Sequence, residues 1–261
     1  MLDVRALTKR YAVDDGEILA LADIDLHVAE GEFVCLLGPS GCGKSTLLKI
    51  VAGLIPASDG VIRIRDRAVS GPGPDRAVVF QDYALFPWMT VADNVEFGLA
   101  ARGTPRERRA AVSGELLRAV GLTEFAAKYP HHLSGGMKQR VSIARALAVD
   151  PVLLLMDEPF GALDAQTRFV MQKELLRVWR AYGKTVLFVT HSIEEALYLG
   201  DRVLVMTARP GRIKADIAVA YPRPRDVASP EFTRLRRELL DLLSDEIARS
   251  MAQESTAELS S

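Results

Sequence analysis

One short segment, GPSGCGKST at positions 38–46, constrains the fold of this chain more than any other stretch of its sequence. Its first glycine ends the apolar run FVCLLG, and its last three residues begin KSTLLKIVAGL, in which apolar residues recur at helical spacing. The pattern G-x-x-x-x-G-K-[ST] between a buried strand and a helix is typical of a phosphate-binding loop. Its glycines let backbone N–H groups face phosphate oxygens, its lysine adds charge for the outer phosphates, and its serine offers a hydroxyl to Mg²⁺. We therefore predict contacts with the phosphates of a nucleotide from Gly38, Pro39, Ser40, Gly41, Cys42, Gly43, Lys44, Ser45 and Thr46.

Two adjacent carboxylates end a second buried strand, PVLLLMDEP. Packing alone does not require two acids at the end of an apolar strand. We expect Asp157 to hold Mg²⁺ through its water shell, and Glu158 to orient or deprotonate the attacking water.

Two more apolar strands end in polar residues, AVVFQDY in Gln81 and TVLFVTH in His191. Either residue alone is weak support for a site, because a polar residue at a strand end is usually a surface residue. Together with the loop and the acidic pair, they put polar groups at the ends of four buried strands. Ligands bind at the carboxyl edge of such a sheet. We therefore predict that both residues act in catalysis, and that Gln81 is also a ligand of the metal ion.

The order of elements predicts an α/β fold with two additions. The first thirty residues alternate polar and apolar around tight turns, which favours two or three antiparallel strands. Helical patterns occupy the chain from about Thr90 to Ala148, and strand–helix units then resume. We predict a P-loop NTPase core with an N-terminal antiparallel β subdomain and an inserted helical subdomain. The predicted divisions are 1–220 for this domain, about 88–148 for the insertion, 221–250 for a Pro-rich spacer and an amphipathic helix, and 251–261 for a disordered tail.

Composition excludes several other classes of protein. The formal net charge of −1 gives no electrostatic support for nucleic-acid binding. The two cysteines, Cys35 and Cys42, form neither a disulfide framework nor a zinc motif. No apolar run approaches the ~18 residues of a membrane span, and the first residues lack a signal-like apolar stretch. We therefore expect a cytoplasmic protein that reaches a membrane only through a partner.

A second segment, HHLSGGMKQR at 131–140, also predicts an anion site. Ser134, Gly135 and Gly136 precede a run of helix formers, so backbone N–H groups at the helix start would be uncovered and point outward. The chain already has a phosphate-binding loop far upstream. One bound nucleotide therefore does not explain two such sites.

These motifs occur together in one known family. GPSGCGKST, Gln81, LSGGM, LLLMDEP, GALD and VTHS stand in the order and approximate spacing of ATP-binding cassette (ABC) ATPases, which this chain resembles from about Leu2 to about Thr207. The LSGG element is the most specific, because other P-loop NTPases lack it. In this family two subunits face each other head to tail, and the LSGG helix of one closes on the ATP held by the other. The resemblance thus explains the second anion site, which would serve the nucleotide of a second copy of this chain.

The resemblance also implies roles for individual residues across that dimer. Ser134, Gly135 and Gly136 would contact the γ-phosphate of the partner's ATP, aided by the positive end of their helix. Asp164, in GALD, would lie at the dimer seam beside the partner's phosphate-binding loop.

Within one subunit, three further roles follow from the resemblance. Tyr11 would stack on adenine, although a cross-strand aromatic of the hairpin is an alternative interpretation. His191 would hold the γ-phosphate and the attacking water, and Gln81 would link the site to the helical subdomain. Separately, Cys42 lies near a helix start and a lysine, so we expect a lowered thiol pKa and alkylation that ATP prevents.

Three longer segments indicate which group within the family this chain resembles. VFQDYALFPWMTVADNVEFGL, MDEPFGALDAQTR and THSIEEALYLGDRVLVM are similar to the importer ATPases for nitrate, aliphatic sulfonates and taurine. The resemblance implies an ATP-hydrolysing motor on the cytoplasmic face of the inner membrane, bound peripherally to an integral-membrane permease. It also implies an indirect partner, a periplasmic or extracellular solute-binding protein.

The segment LFPWMTV has two possible interpretations. Leu85, Phe86, Trp88 and Met89 form a dense apolar patch in a loop directly after Gln81. The patch is either subdomain core or a groove that takes a short helix from the membrane subunit.

Two other functions have less support. One is a soluble, non-transport cassette ATPase of DNA repair, translation or cofactor assembly. Chromosome-type relatives carry long coiled coils and translation-type relatives carry two cassettes, and neither feature fits this chain. A GTPase needs an Asn-Lys-x-Asp motif, but the only asparagine, Asn94, is followed by valine.

Overall fold

The computed structural model describes residues 1–14 and 16–258, with side chains as far as Ser250. The chain forms two compact units. The first unit consists of Met1–Gly73 and Thr185–Ser261, and the second is the intervening Pro74–Lys184.

The elements alternate between strands and helices along most of the chain. The first unit begins with β1 (Leu2–Val13), β2 (Gly16–Val28), β3 (Phe33–Leu37), α1 (Lys44–Ala52), β4 (Asp59–Ile64) and β5 (Arg67–Ala68). The second unit contains β6 (Arg76–Val79), α2 (Val91–Ala101), α3 (Arg106–Ala119), two short 3-10 turns (Thr123–Phe125 and Pro130–His132), α4 (Gly135–Ala148), β7 (Leu153–Asp157) and α5 (Ala165–Tyr182). The first unit then resumes with β8 (Thr185–Thr190), α6 (Ile193–Leu199), β9 (Arg202–Met206), β10 (Ile213–Ala218) and α7 (Pro230–Glu258).

An antiparallel sheet in the order β2-β1-β4-β5 forms from the N-terminal part of the first unit. β1 pairs with β2 along one edge and with β4 along the other. Apolar residues of β1 such as Leu2 and Val4 are buried, whereas Arg5 is exposed. The polar–apolar alternation thus gives the sheet one buried face, and the predicted N-terminal antiparallel strands are present.

Parallel strands form the other sheet of the first unit. β3 pairs in parallel with both β8 and β9, and every residue of β3 and β8 is buried. Continuous apolar runs of this kind are typical of strands covered on both faces. Because Leu37 pairs with Thr190 and with Val205, all three strands end at one edge. The segments that follow them are therefore neighbours.

The second unit combines two parallel strands with helices. β6 and β7 pair with Val79 opposite Met156, so these strands also end at a common edge. α2 begins with the predicted capping box, in which the Asp93 amide donates to the Thr90 hydroxyl at 3.1 Å and the Thr90 amide donates to the Asp93 carboxylate at 3.3 Å. α2–α4 lie within the segment predicted as an insertion, about 88–148, and the compact unit also includes both strands and α5.

The C-terminal helix differs from its prediction in two ways. It continues to Glu258, so residues 251–258, predicted as part of a disordered tail, are helical. No glycine or proline interrupts the helix in this segment. Residues 259–261 lie outside the described residues. The sequence also places six apolar residues on one face of this amphipathic helix, but that face is not buried to its end, because Ile247 is 40% exposed and Glu246 is 2% exposed. The six residues are Phe232, Leu235, Leu239, Leu242, Leu243 and Ile247. Glu246 is seven residues after Leu239, and this spacing returns to the same side of a helix.

Among the described residues, no helix combines the length and the apolar character that crossing a bilayer requires.

Candidate functional site

The predicted phosphate-binding loop connects β3 to α1 in the first unit. Gly43 caps α1 with φ of +100°, and a Cβ at this position would lie 2.6 Å from Leu21 Cδ2, so only glycine fits. α1 has no side-chain cap and no acidic residue in its first turn. The positive end of the helix therefore has no competing negative charge of its own, which favours an anion there.

Lys44 holds its ammonium group inside this loop. The side chain is buried, and Nζ donates to the carbonyl oxygens of Gly38 at 2.9 Å and Pro39 at 2.8 Å. Ser40 and Gly41 are exposed, and Ser45 and Thr46 are half-buried. The loop thus presents an exposed outer edge over a buried positive charge, an arrangement that suits a bound phosphate.

A turn after β9 packs against the same loop, and the sequence analysis missed it. A Cβ on Gly211 would lie 2.2 Å from the Cys42 carbonyl oxygen, and the Gly211 amide donates to the Ala20 carbonyl at 2.9 Å. Met206, at the end of β9, lies beside Gly38. The signal available in the sequence was the Pro-Gly pair in ARPG, directly after a buried strand.

The expectation of a lowered pKa for the Cys42 thiol is wrong. Its side chain is 1% exposed, and burial raises the pKa of the thiol even though the nearby Lys44 acts in the opposite direction. The thiol faces Gly38, with Sγ 2.8 Å from the place where a Cβ of that glycine would be. This burial is typical of a cysteine that serves as a small packing residue.

His191 and Tyr11 occupy the elements that the sequence predicted. His191 directly follows β8 and is exposed at the edge where β3 runs into the phosphate-binding loop. Tyr11 lies exposed in β1, and the ammonium of Lys9 lies 4.8 Å from the centroid of its ring. These positions do not show whether Tyr11 contacts adenine or whether His191 contacts a phosphate, so both roles remain predictions.

In the second unit, Gln81 and the acidic pair follow the parallel strands β6 and β7. Glu158 adopts φ of +44°, and its carbonyl accepts the Gly161 amide at 3.0 Å. A Cβ on Gly161 would lie 3.2 Å from Gln81 Nε2, so the Gln81 side chain lies against the turn that follows Asp157 and Glu158. The structure thus brings these three predicted residues together at one edge.

The second predicted anion site is the start of α4. Ser134 caps the helix, and its hydroxyl accepts the Met137 amide at 3.3 Å. The Met137 amide is therefore satisfied within the protein, and the expected anion contact of Ser134, Gly135 and Gly136 stays a prediction. The two glycines leave room for close packing: a Cβ on Gly136 would lie 3.0 Å from Thr167 Cγ2. No acidic residue stands in the first turn, so the helix end still favours an anion.

Asp164 caps α5, a local role that the sequence analysis did not foresee. Its carboxylate accepts the Thr167 amide at 3.0 Å and the Thr167 hydroxyl at 2.7 Å. These bonds hold the pKa of Asp164 below its usual value. The predicted position of Asp164 at a dimer seam remains a prediction.

The apolar patch after Gln81 is partly surface. Trp88 is 70% exposed, and its ring centroid lies 5.7 Å from that of Phe86, which in turn is 4.4 Å from Phe97. Leu85, Phe86 and Met89 are half-buried. Of the two interpretations, core fits these half-buried residues and an exposed groove fits Trp88.

Comparison with known proteins identifies the family. The sequence profile described as ABC transporter matches residues 21–161, which include the phosphate-binding loop, LSGG and the acidic pair. This chain belongs to the ABC transporter family. An uncharacterised ABC transporter ATP-binding protein of Methanocaldococcus jannaschii is 51% identical over 250 residues, covering 96% of this chain and 94% of the relative.

Named relatives of this ABC subunit are import proteins. A taurine import ATP-binding protein of Rhizobium johnstonii is 52% identical over 89% of this chain and 92% of its own length. A nitrate import ATP-binding protein of Synechocystis is 45% identical over 91% of this chain and 89% of its own length. These similarities confirm the predicted resemblance to this group, and nothing in them favours a soluble, non-transport ATPase.

Solved structures agree with the fold of the ABC subunit. An ATP-binding cassette captured as a dimer in a post-hydrolysis state, with ADP and phosphate bound, aligns with a TM-score of 0.74 and 34% identity. It covers 85% of this chain, and all of that cassette is matched. The predicted P-loop NTPase fold class is confirmed, and the chain is an ATP-hydrolysing transporter subunit.

Proposed function

We propose that this ABC ATPase energises the uptake of a small solute of the nitrate, sulfonate or taurine type through an integral-membrane permease. The observation that carries the proposal is the similarity to taurine and nitrate import subunits across 89% and 91% of this chain. A match over nearly the full length includes the segments outside the nucleotide motifs, where subunits for different transport partners would be expected to differ.

The first unit would bind the ATP phosphates. A loop whose Gly43 leaves no room for a Cβ, a helix start without acids and the buried Lys44 together suit a polyphosphate. Residues 38–46 would supply the N–H groups and the lysine charge, and Tyr11 would stack on the adenine. His191 would contact the γ-phosphate and the attacking water.

The metal ion expected with ATP is Mg²⁺, and the donor chemistry of the predicted ligands fits it. Ser45, Gln81 and Asp157 offer a hydroxyl, an amide and a carboxylate, all with the hard oxygens that this ion prefers. Bound Mg²⁺ would supply positive charge to the β- and γ-phosphates. Glu158 would accept a proton from the attacking water or orient it.

A second copy of the chain would complete the site through the start of α4. Support comes from the dimeric state of the similar cassette and from an apolar surface next to Ser134. On that surface Phe169 is 42% exposed and Val170 is 59% exposed, which favours a covering partner. Ser134, Gly135 and Gly136 would contact the γ-phosphate held by the partner, with Asp164 at the seam.

The permease would bind at the aromatic patch formed by Phe86, Trp88 and Phe97. An exposed tryptophan beside two further aromatic rings suits the apolar face of a short helix. The subunit would then be held peripherally on the cytoplasmic face of the membrane. A solute-binding protein on the opposite side would be an indirect partner.

Affinity purification from solubilised host membranes tests the permease interaction. We expect a multi-span membrane protein to co-purify in stoichiometric amount, and Trp88→Ala to reduce its recovery. A matched control is Trp179→Phe, because Trp179 belongs to α5, not to the segment that forms the patch, and its indole donates to the Lys184 carbonyl at 2.7 Å. Recovery with soluble partners alone would contradict the proposal.

Uptake of labelled solutes tests the substrate class. Deletion of this subunit should abolish ATP-dependent uptake of nitrate, taurine or an aliphatic sulfonate, and the Glu158→Gln variant should not restore it. Unchanged uptake of all three solutes in the deletion strain would contradict the proposed class.

A further inference from the structure

The segment after Gln81 contains two residues in a backbone conformation that residues with a Cβ rarely adopt. Tyr83 and Ala84 have φ of +57° and +46°. The local turn is tight, because the Tyr83 amide donates to the Phe80 carbonyl at 3.3 Å and the Ala84 amide to the Asp82 carbonyl at 2.5 Å. A strained turn of this kind persists where surrounding groups hold it in place.

Arg145 of α4 supplies such support. Its guanidinium donates through Nη1 to the Ala84 carbonyl at 2.6 Å and through Nη2 to the Tyr83 carbonyl at 3.0 Å. The guanidinium carbon also lies 5.6 Å from the centroid of the Phe86 ring, within cation–π range. Burial lowers the pKa of Arg145, and charge-assisted bonds are strong in such a desolvated place. The planar fork of an arginine suits two adjacent acceptors, which a lysine ammonium does not match.

The Tyr83 side chain connects the same turn to the other end of α4. Its hydroxyl oxygen lies 3.1 Å from the position that a Cβ on Gly135 would occupy. Gly135 opens α4, and Arg145 lies near the end of this helix. Ten residues of helix correspond to about 15 Å along the axis, a distance that one long arginine and one tyrosine side chain can span together. The turn therefore touches α4 near both of its ends.

We propose that Arg145 is a positioning residue for ATP hydrolysis: by holding the Tyr83–Ala84 turn against α4, it fixes Gln81 relative to the signature glycine Gly135. Gln81 stands two residues before Tyr83, so a displaced turn displaces Gln81 as well. The inference rests on the ATPase activity and is independent of the solute and of the permease. Because the phosphate-binding loop belongs to the other unit, the effect should fall on turnover and not on ATP affinity.

Steady-state ATP hydrolysis by the full chain tests this role. Arg145→Ala should lower kcat at least about tenfold and leave KM for ATP within about threefold, as expected for a misplaced catalytic group. Arg102→Ala is the matched control. Arg102 also donates to two backbone carbonyls of the second unit, those of Val149 at 2.9 Å and Pro74 at 3.0 Å, but it does not touch the turn. We expect the kcat of this control to stay within about twofold of wild type.

A second substitution distinguishes positioning from packing. Glycine adopts positive φ without penalty, so Ala84→Gly should by itself maintain the turn when the arginine is absent. Adding Ala84→Gly to Arg145→Ala should raise kcat at least about threefold. Arg145→Lys, which keeps the charge but not the fork, should fall between wild type and alanine.

The outcomes that overturn the inference are equally specific. Arg145 would be a packing residue only if Arg145→Ala and Arg102→Ala lowered kcat equally. The same conclusion would follow if KM for ATP rose as much as kcat fell in Arg145→Ala, or if Ala84→Gly restored none of the lost kcat. If Arg145→Ala does not fold, Arg145→Lys takes its place. Its kcat is then compared with and without Ala84→Gly, and a higher kcat with Ala84→Gly supports the positioning role, whereas an unchanged kcat contradicts it.

Discussion

The hydroxyl oxygen of Tyr83 lies over Gly135, the first glycine of the LSGG motif, at 3.1 Å from the point where a side chain on that glycine would begin. Leu163 Cδ2 lies 3.3 Å from the same point. A side chain on Gly135 would therefore crowd both neighbours, so glycine favours close packing here. Within the second unit, the loop that carries Gln81 thus meets the LSGG helix at Tyr83, near the start of the helix, as well as at Arg145, near its end.

This contact predicts a paired effect of two substitutions. Gly135→Ala should lower kcat by about threefold to tenfold, because Tyr83 or Leu163 must give way by a few tenths of an ångström. Adding Tyr83→Phe removes the hydroxyl and should recover most of that loss. A double-mutant cycle on kcat measures the coupling. If the effects of Gly135→Ala and Tyr83→Phe on kcat are additive, the new methyl group acts on the nucleotide and not through Tyr83.

Gly43→Ala should disable the phosphate-binding loop. At φ of +100°, the new Cβ would lie 2.6 Å from Leu21 Cδ2 and 3.2 Å from the Ala20 carbonyl oxygen. We expect a loss of about 1–3 kcal/mol in the free energy of unfolding, and ATP binding weakened at least about tenfold. Urea denaturation and titration with a fluorescent ATP analogue measure the two effects.

Gly114→Ala is the control for that substitution. Gly114 lies within α3, and a Cβ added there meets nothing within 4 Å. Alanine should therefore stabilise the protein by about 0.5–1 kcal/mol and leave ATP binding unchanged. If Gly43→Ala and Gly114→Ala had the same effects on stability and on ATP binding, the positive φ of Gly43 would not determine the conformation of the loop.

Sequence reasoning located best the residues whose position depends on local chain geometry. Lys44 follows a strand–loop–helix pattern, and Asp157 ends an apolar run, so both could be located from neighbouring residues alone. Gly211 was missed because its contact with the Cys42 carbonyl joins segments far apart in the chain. Arg145 was missed for the same reason, since its acceptors at Tyr83 and Ala84 belong to a distant loop.

The wrong predictions arose from burial, which local sequence does not determine. A loop position beside Lys44 indicated a reactive Cys42, but the thiol is enclosed against Gly38 and Met206, and its pKa is raised by burial. On α7 the apolar Ile247 is exposed and the acid before it is buried, because Lys214 and the Ala208 amide give Glu246 its partners. Such pairing can only be seen once distant segments are brought together.

Cys42 should be slow to alkylate. With its thiol 1% exposed and its pKa raised by burial, little thiolate is present and little of it is accessible near pH 8. We expect labelling by iodoacetamide at least about tenfold slower than that of glutathione, and fast labelling in urea. Mass spectrometry of the peptide containing Cys42 measures both rates. Fast labelling of the folded protein, with protection by ATP, would support a reactive thiol instead.

Glu246 should make stability depend on pH. Burial opposes its ionisation, but bonds from Lys214 Nζ at 2.8 Å and the Ala208 amide at 2.9 Å outweigh this, so the pKa of Glu246 is lowered. The stabilisation is therefore complete above the unfolded pKa of about 4.3 and is lost as the pH falls through the folded pKa. Glu246→Gln should lower the free energy of unfolding by about 1–3 kcal/mol at pH 7.

Urea denaturation between pH 3 and pH 7 checks this sign, with Glu238→Gln as the control on the same helix. Glu238 is exposed and pairs with Arg234 at 3.4 Å, so its loss should change stability by less than about 0.5 kcal/mol. The difference in stability between wild type and Glu246→Gln should shrink toward low pH. A difference that grew on acidification would contradict the lowered pKa.

Glu158→Gln should separate ATP binding from ATP hydrolysis. Glutamine keeps the size of the side chain but cannot accept a proton from water, so we expect hydrolysis to fall at least about 100-fold while ATP still binds. The variant should then accumulate as a closed dimer with ATP and Mg²⁺, since the step that reopens it is blocked. Size-exclusion chromatography with light scattering measures the mass, and Lys44→Ala, which should bind ATP poorly, is the control expected to stay monomeric. A monomeric Glu158→Gln with bound ATP would contradict the proposal that the LSGG helix of a second copy closes on the nucleotide.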